Sequence, residues 1–346
     1  MYEHSNIFTY FFAFFGTLFC IWLLMPVSQK IGFVDAPRGH KQHAREIPLI
    51  GGISICFGFY FALLSMPISL ALYRGLIGAS GLLLILGIAD DLLDLSAQLR
   101  LLVQGFAAIF VVYSDHLNAH LMGNLLFMGS WDIGQYGILL AVFVIVGYLN
   151  AFNMLDGQDG LAGCVGFGQI LLLTYLLSSN GDHINAHILM LLGTTLIAFL
   201  LFNMPLPWRK HAHIFLGNAG SVLLALIIAY FSIYTCQTLS FDIQPITYLW
   251  ILAYPIFDLI TVCVHRIRTG NSPLRASRDH LHHILQSHAC STFTSTLALS
   301  LGSFLLGTIG ILLNHWIAIE GINLIIYLIA LFSYIFFVEK LRKEAP

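Results

Sequence analysis

The stretch "GIADDLLDL" (87–95) carries the first sign of chemistry in this chain, with Asp90 and Asp91 adjacent at the end of an apolar run and Asp94 one turn after Asp90. Neighbouring carboxylates repel, and at a membrane boundary without a nearby base they are costly unless a cation sits between them. One Asp would pass for a helix cap; three in an apolar stretch favour metal or phosphate chemistry. A denser cluster follows in "NAFNMLDGQDGLAG" (150–163), where Asn150, Asn153, Asp156 and Asp159 share a short passage with several glycines. Such glycines let the backbone turn sharply and approach a ligand closely. Asn153, Asp156 and Asp159 recur every third residue, close to one face if the segment is helical. A plain polar turn would not need all four polar residues.

The complementary charges come later. "SPLRASRDHLHHIL" (272–285) follows "HRIRTG" and sets Arg266, Arg268, Arg275 and Arg278 beside His280, His282 and His283. Guanidinium groups bind phosphate oxygens bidentately and a histidine can carry a proton, so the cluster suits a polyphosphate. A membrane-anchoring basic patch would explain the arginines but not the histidines, and a zinc site on His280 and His283 lacks an H-E-x-x-H pattern. The basic loop "KIGFVDAPRGHKQHAREIPLIGG" (30–52), with Asp35 near its start, suits both attraction to anionic headgroups and a lid over the site. "FLGNAGS" (215–221) is a Gly-rich opening to an apolar run, where a helix N-terminus would favour phosphate.

These residues need a scaffold, and the composition says which. The chain has 346 residues, 58% hydrophobic and 9% charged, far more apolar than a soluble domain. Apolar runs at 7–27, 49–71, 73–90, 99–116, 135–151, 160–178, 186–203, 213–235, 245–264, 292–313 and 317–337 are each long enough to cross a bilayer. The expected fold is therefore all-α: a polytopic integral membrane bundle of about eleven helices. Of the 15 Lys and Arg, Arg74 alone falls on one face of that map, which places the N-terminus outside and the C-terminus in the cytoplasm. The first run has no basic region before it and no small-residue cleavage site after it, so it reads as a retained span. The six cysteines form no CxxC pair and suggest neither a disulfide framework nor a zinc site. No internal repeat suggests a transporter's inverted halves. The expectation is one domain over 1–346, with cytoplasmic active-site loops near 28–48, 89–100, 150–160, 203–221 and 265–292. Acids, arginines and a Gly-rich helix start on one membrane face point to phosphoryl transfer involving a membrane lipid, where catalysis is mostly positioning and charge neutralisation.

In their order, "ADDLLDLSAQLRLLVQ", "NAFNMLDGQDGLAG", "FLGNAGS" and "SPLRASRDHLHHIL" resemble the polyprenyl-phosphate N-acetylhexosamine-1-phosphate transferases, over about residues 26 to 285. Within them the chain is most similar to the undecaprenyl-phosphate N-acetylglucosamine-1-phosphate transferases; the peptidoglycan relative has three consecutive histidines in place of "HLHH". The resemblance implies transfer of a sugar 1-phosphate from a UDP-N-acetylhexosamine to undecaprenyl phosphate with release of UMP. It implies Mg2+, with Mn2+ as an alternative, at the bacterial inner (cytoplasmic) membrane, initiating a lipid-linked surface polysaccharide such as O-antigen. No nucleic acid is expected as a partner, and a homodimer is compatible with this reading.

The resemblance also assigns roles. Asp90, Asp91, Asp159 and His280 fall at catalytic positions, with Asp91 the metal contact and Asp90 a proposed base. Asn153, Asp156, Arg266, Arg278, His282 and His283 match nucleotide- and sugar-binding positions, and Phe215 matches an aromatic that stacks on uracil. Arg100 and Asp35 would serve the lipid phosphate. Two departures stand out. The usual G-D-x-G-S is G-N-A-G-S here, so Asn218 takes the place of a metal-binding Asp, keeping a carbonyl oxygen but losing the charge. Gln98 stands where some relatives have Lys. A binding or scaffold protein with weakened chemistry is the alternative that Asn218 raises.

Overall fold

The computed structural model describes residues 2–35, 46–206, 208–209, 211–238, 243–272, 279–317 and 319–344. Of the residues singled out above, Arg275 and Arg278 lie outside them, as does the 36–45 part of the basic loop. The described chain is helical almost throughout: α1 Tyr2–Ile31, α2 Gly51–Leu64, α3 Arg74–Leu93, α4 Ala97–Ser114, α5 Tyr136–Asn153, α6 Leu161–Ser179, α7 His183–Asn203, α8 Gly217–Thr238, α9 Pro245–Ile251, α10 Ala253–Arg268, α11 Leu281–Ser287, α12 Thr292–Trp316 and α13 Glu320–Glu344. Two short strands, β1 Val34–Asp35 and β2 Ile47–Pro48, pair antiparallel with Val34 opposite Pro48.

The sorting into inner and outer helices follows from residue size and polarity. In α8, 89% of the apolar window is buried by protein, against 22% in α13 and 33% in α1. The first is the axis of the bundle; the other two leave their apolar faces for lipid. Small residues let neighbours close onto α8. A Cβ on Gly87 would lie 2.2 Å from Cα of Ala219, and one on Gly52 2.2 Å from the Gly220 nitrogen, so α3 and α2 pack backbone to backbone against its first turn. Bilayer spans have no water to satisfy polar groups, and this one shows the expected internal pairing: Tyr148 donates to Gln169 (2.5 Å), whose amide donates to the Ile251 carbonyl (3.1 Å). That carbonyl is exposed by a break: α9 and α10 meet at a 74° bend.

The bend and one short helix decide how the eleven apolar runs appear as helices. Every apolar run is helical, yet among the described residues nine helices are long and apolar enough to cross a membrane, with the bent pair as a tenth. The run 49–71 yields only the 14 residues of α2, about 21 Å of helix against roughly 30 Å of hydrocarbon. Hydropathy registers apolar length but not the turn at Ser65–Pro67 that ends α2, nor the break at Leu252. The protein is a multi-pass membrane protein built from helices.

Candidate active site

One end of the bundle collects the chemistry-bearing segments. Helix α3 stops at Asp94, which adopts a left-handed conformation (φ 51°) while its amide still bonds the Asp90 carbonyl. Ser96 then caps α4, and this tight corner points Arg100, one turn into α4, back at the end of α3. The Arg100 guanidinium meets Asp90 Oδ2 at 3.0 Å, and the Leu95 amide donates to Asp90 Oδ1 at 3.0 Å. Asp90 is 5% exposed, so both of its oxygens are held inside the protein. Asp94, expected on the same face, instead lies exposed beyond the helix end.

Asp91 faces the other way, toward the start of α8. The Asn218 amide donates to Asp91 Oδ1 at 3.0 Å, and the Asn218 side chain and the Ala219 amide lie beside the carboxylate. Gly217 makes this approach possible. Its φ of +74° is one that glycine adopts without cost, and a Cβ there would stand 2.7 Å from Asp91 Oδ2. That Oδ2 is buried and has no hydrogen-bond partner among the described residues. The chain before α8 is fixed by α2 and β2: Gly51 and Gly52 donate to the Phe215 and Leu216 carbonyls (both 2.9 Å), and Phe215 donates to the Pro48 carbonyl (2.9 Å). Asp35, in β1, pairs with Ile47 and so sits on the same small platform.

The 150–163 segment is not one helical face. Helix α5 ends at Asn153, a 3-10 turn covers Met154–Gly157 with Asp156 off helical geometry, Gln158 is extended, and Gly160 is left-handed. The three acidic and amide groups therefore diverge. Asp156 faces Asp91 and the Gly217 amide. Asp159 Oδ2 accepts the Ala212 amide at 3.0 Å, and its carbonyl accepts Thr296 Oγ1 at 2.9 Å. Asn153 closes α5 on the same side, half-buried. Asn203, at the end of α7, anchors the turn by accepting the Gly160 amide (2.8 Å) and donating to the Ile214 carbonyl (2.9 Å).

The histidines complete the site. A Cβ on Gly157 would lie 2.9 Å from His282 Nε2 and 3.5 Å from His283 Nε2, which brings the 280–283 segment onto the 150–163 turn. Gln158 joins the two through Gln286, Ser295 and Thr296. His280 and His282 stack with ring centroids 5.6 Å apart, and His283 lies 4.1 Å from His282. His282 is fully buried and neither ring nitrogen has a partner among the described residues. Burial, reinforced by the neighbouring His283 ring, pushes its imidazole down to about 3. Arg266 is 3% exposed, with Nε 3.7 Å from Asp279 Oδ2.

Several residues that sequence reasoning passed over hold this arrangement. Asp258, fully buried in α10, accepts His280 Nδ1 at 2.6 Å; Glu339 and Arg342 of α13 reach His265 and the Asp279 carbonyl. An acid inside an apolar run is a signal for Asp258. For Glu339 and Arg342, in a basic C-terminal tail, the sequence holds none.

Acids at two helix ends, a glycine-mediated helix N-terminus, and arginine with histidine across a turn thus lie together at one end of a membrane helix bundle, and these are residue types that can hold a phosphate. The sequence profile of glycosyl transferase family 4 matches residues 73–236. The undecaprenyl-phosphate alpha-N-acetylglucosaminyl 1-phosphate transferase of Escherichia coli (strain K12) is 31% identical over 342 residues, 96% of this chain and 90% of that protein. The transferases so named in Yersinia pestis and Haemophilus influenzae are 31% and 30% identical, over 96% and 92% of this chain and 92% and 91% of theirs. The chain belongs to glycosyl transferase family 4.

Proposed function

We propose that this protein transfers a sugar 1-phosphate, with N-acetylglucosamine 1-phosphate the first candidate, from a UDP-sugar to undecaprenyl phosphate at the cytoplasmic face of the bacterial inner membrane. The observation that carries the reading is the meeting of Asp91, Asp156 and the Gly217–Asn218 helix start at one point of the bundle end. The names of relatives matching nearly the whole chain support undecaprenyl phosphate as acceptor and N-acetylglucosamine 1-phosphate as the transferred group.

In the reaction an oxygen of the lipid phosphate attacks the β-phosphorus of the UDP-sugar, the bond from that phosphorus to the bridging oxygen breaks, and UMP leaves. A phosphate monoester has its second pKa near 6, so the acceptor is mostly dianionic at neutral pH and needs little help from a base. Asp90 fits that economy: paired with Arg100 and the Leu95 amide, it orients Arg100 toward the acceptor first and takes protons second. The α8 N-terminus offers its dipole to the pyrophosphate, Phe215 offers a ring to the uracil, and Arg266, His280 and His283 serve the sugar phosphate.

A divalent ion fits the donors present. The unpartnered Asp91 Oδ2 and the nearby Asp156 supply two carboxylates, and Mg2+ commonly takes one or two with the rest from water and substrate phosphate. Among the described residues no three His, Cys, Asp or Glu converge as a complete cage, which suits an ion held jointly with substrate. Bound there, Mg2+ would neutralise charge on the pyrophosphate. Asn218 lies against Asp91 where an acid would add repulsion, so it tunes this site.

Membranes or purified protein incubated with radiolabelled UDP-N-acetyl sugars, undecaprenyl phosphate and Mg2+ are expected to give a lipid-linked product and UMP. No product from any donor would overturn the reading. The scaffold reading favoured by Asn218 is excluded if product forms and Asp91→Ala abolishes it. Asn218→Asp is expected to lower the Mg2+ concentration for half-maximal rate; an unchanged or higher requirement would remove Asn218 from the metal site.

A further inference from the structure

We propose that Asp258 is a positioning residue that fixes the tautomer and rotation of His280, so that the ring presents Nε2 to the sugar phosphate; the proposal rests on the function above.

Asp258 lies on α10, outside the four motifs, and is 1% exposed. Its Oδ2 accepts from His280 Nδ1 at 2.6 Å. Its Oδ1 accepts the Leu281 amide at 3.1 Å and the Tyr334 hydroxyl at 3.2 Å. Both donors to Oδ1 come from elements other than α10, one at the start of α11 and one on α13, so the carboxylate cannot rotate without losing a bond on each side. His280 is therefore held as the Nδ1–H form, and Nε2 is the ring's remaining hydrogen-bonding atom. Among the described residues, the charged and titratable groups around the pair are Tyr254 on α10, Asp279 next to His280 with its partner Arg266, His282 and His283 on α11, and Tyr334 with Arg342 on α13. A buried acid holding one imidazole nitrogen while the other meets the reacting group is a recurrent way to set a histidine's tautomer. The 74° bend before α10 gives this helix the direction that brings Asp258 under the histidines.

The substitution Asp258→Asn separates positioning from packing. Its carbonyl oxygen will take the Oδ1 place, where two donors point, and its NH2 will face His280 Nδ1. That nitrogen must then accept rather than donate, which moves the proton to Nε2 and presents a donor where an acceptor was. Full-length protein in detergent, labelled with 15N at histidine and with His280 assigned by loss of its signal in His280→Gln, reports the tautomer directly. Expected results are Nδ1–H in the natural chain and Nε2–H in Asp258→Asn. The variant's kcat should fall on the order of 10³-fold with KM for the UDP-sugar within about threefold, since ground-state contacts persist. Because Asp258 acts through His280, Asp258→Asn with His280→Gln should be no slower than His280→Gln alone.

An unchanged tautomer, a kcat within threefold of the natural chain, or a double variant much slower than His280→Gln would each overturn the proposal. If Asp258→Asn does not accumulate, Tyr334→Phe removes one of the two Oδ1 donors. A several-fold fall in kcat at unchanged KM then supports the proposal, and an unchanged kcat overturns it. Should the natural chain transfer no sugar phosphate from any donor, the proposed function fails while the 15N measurement still decides the Asp258–His280 pairing.

Discussion

The two ends of the bundle use the same residue types to opposite purposes. At the end away from the site, Asp115 accepts the Gly75 and Leu76 amides at 2.7 and 2.8 Å and so caps α3 from α4. Asp182, Asn185, Tyr73 and Tyr234 close a network in which Asn185 accepts from Tyr73 (2.8 Å) and donates to Asp182 (2.8 Å). Glu320 accepts the Asn124 and Ile246 amides at 2.7 and 3.3 Å. These acids have their donors within the protein. At the site end, among the described residues, Asp91 keeps an unpartnered oxygen and His282 two unpartnered nitrogens, all buried. Buried polar atoms without partners cost about 1–3 kcal/mol each. Asn118 Oδ1 at the far end also lacks a partner among the described residues, so the contrast is one between acids: Asp115, Asp182 and Glu320 are satisfied within the protein, and Asp91 is satisfied only in part.

The largest effect should come from neutralising the unpartnered acid. Asp91→Asn is expected to cut sugar-phosphate transfer by at least roughly 10³-fold, in the range of losing one charged group aimed at a reacting phosphate. The folded protein should be as stable as before or more so, because a desolvated charge is gone. Transfer assays beside thermal melts in detergent check both halves; a variant that loses stability along with activity would erase the contrast between the ends.

Gly217→Ala comes next. The new methyl must adopt φ near +74° and stands 2.7 Å from Asp91 Oδ2, so the carboxylate or the first turn of α8 has to move. A left-handed Ala costs roughly 1–2 kcal/mol, and a misplaced carboxylate typically costs about 10- to 100-fold in rate. Steady-state rates should fall while the protein still folds. At the opposite end, Asp115→Ala should reverse the pattern. Leaving the Gly75 and Leu76 amides without acceptors costs about 1–3 kcal/mol, visible as a lowered melting temperature with kcat unchanged. A loss of kcat at unchanged stability would show that the ends are coupled.

The sequence displayed this division unevenly. Hydropathy located every helix except the short α11, since a bilayer demands apolar length. It could not show the end of α2 at Ser65 or the bend at Leu252, because both lie inside runs whose mean stays apolar, and hydropathy gives no weight to the stop signal of Pro67. Asp90, Asp91, Asp156 and Gly217 were legible because acids and glycines are conspicuous where water is scarce, and the structure places them together. The three-residue spacing of Asn153, Asp156 and Asp159 misled: Gly157 and Gly160 break the helix, and Asp159 spends an oxygen on the Ala212 amide. Nor did spacing reveal that Arg100 is tied to Asp90, since that bond depends on the corner at Asp94. Asp258 and Tyr334 meet His280 only through tertiary packing of α10 and α13, for which a one-dimensional pattern has no period.

The smallest effect concerns pH, and it also falls at the site end. His282 is held down to about 3 by burial, whereas an unfolded histidine titrates near 6.5. Between those values the unfolded chain binds a proton that the folded chain refuses, so stability declines as pH falls below about 6.5 and continues to decline toward 3. The slope approaches roughly 1.4 kcal/mol per pH unit from this group alone. His282→Leu removes the titration while keeping an apolar volume against Gly157. Its melting temperature should equal or exceed that of the natural chain at pH 7.5 and fall less between pH 7 and 5, even as transfer weakens. Parallel curves for the two proteins would mean that His282 finds a proton donor or acceptor in the folded state, and that the site end holds one fewer uncompensated group.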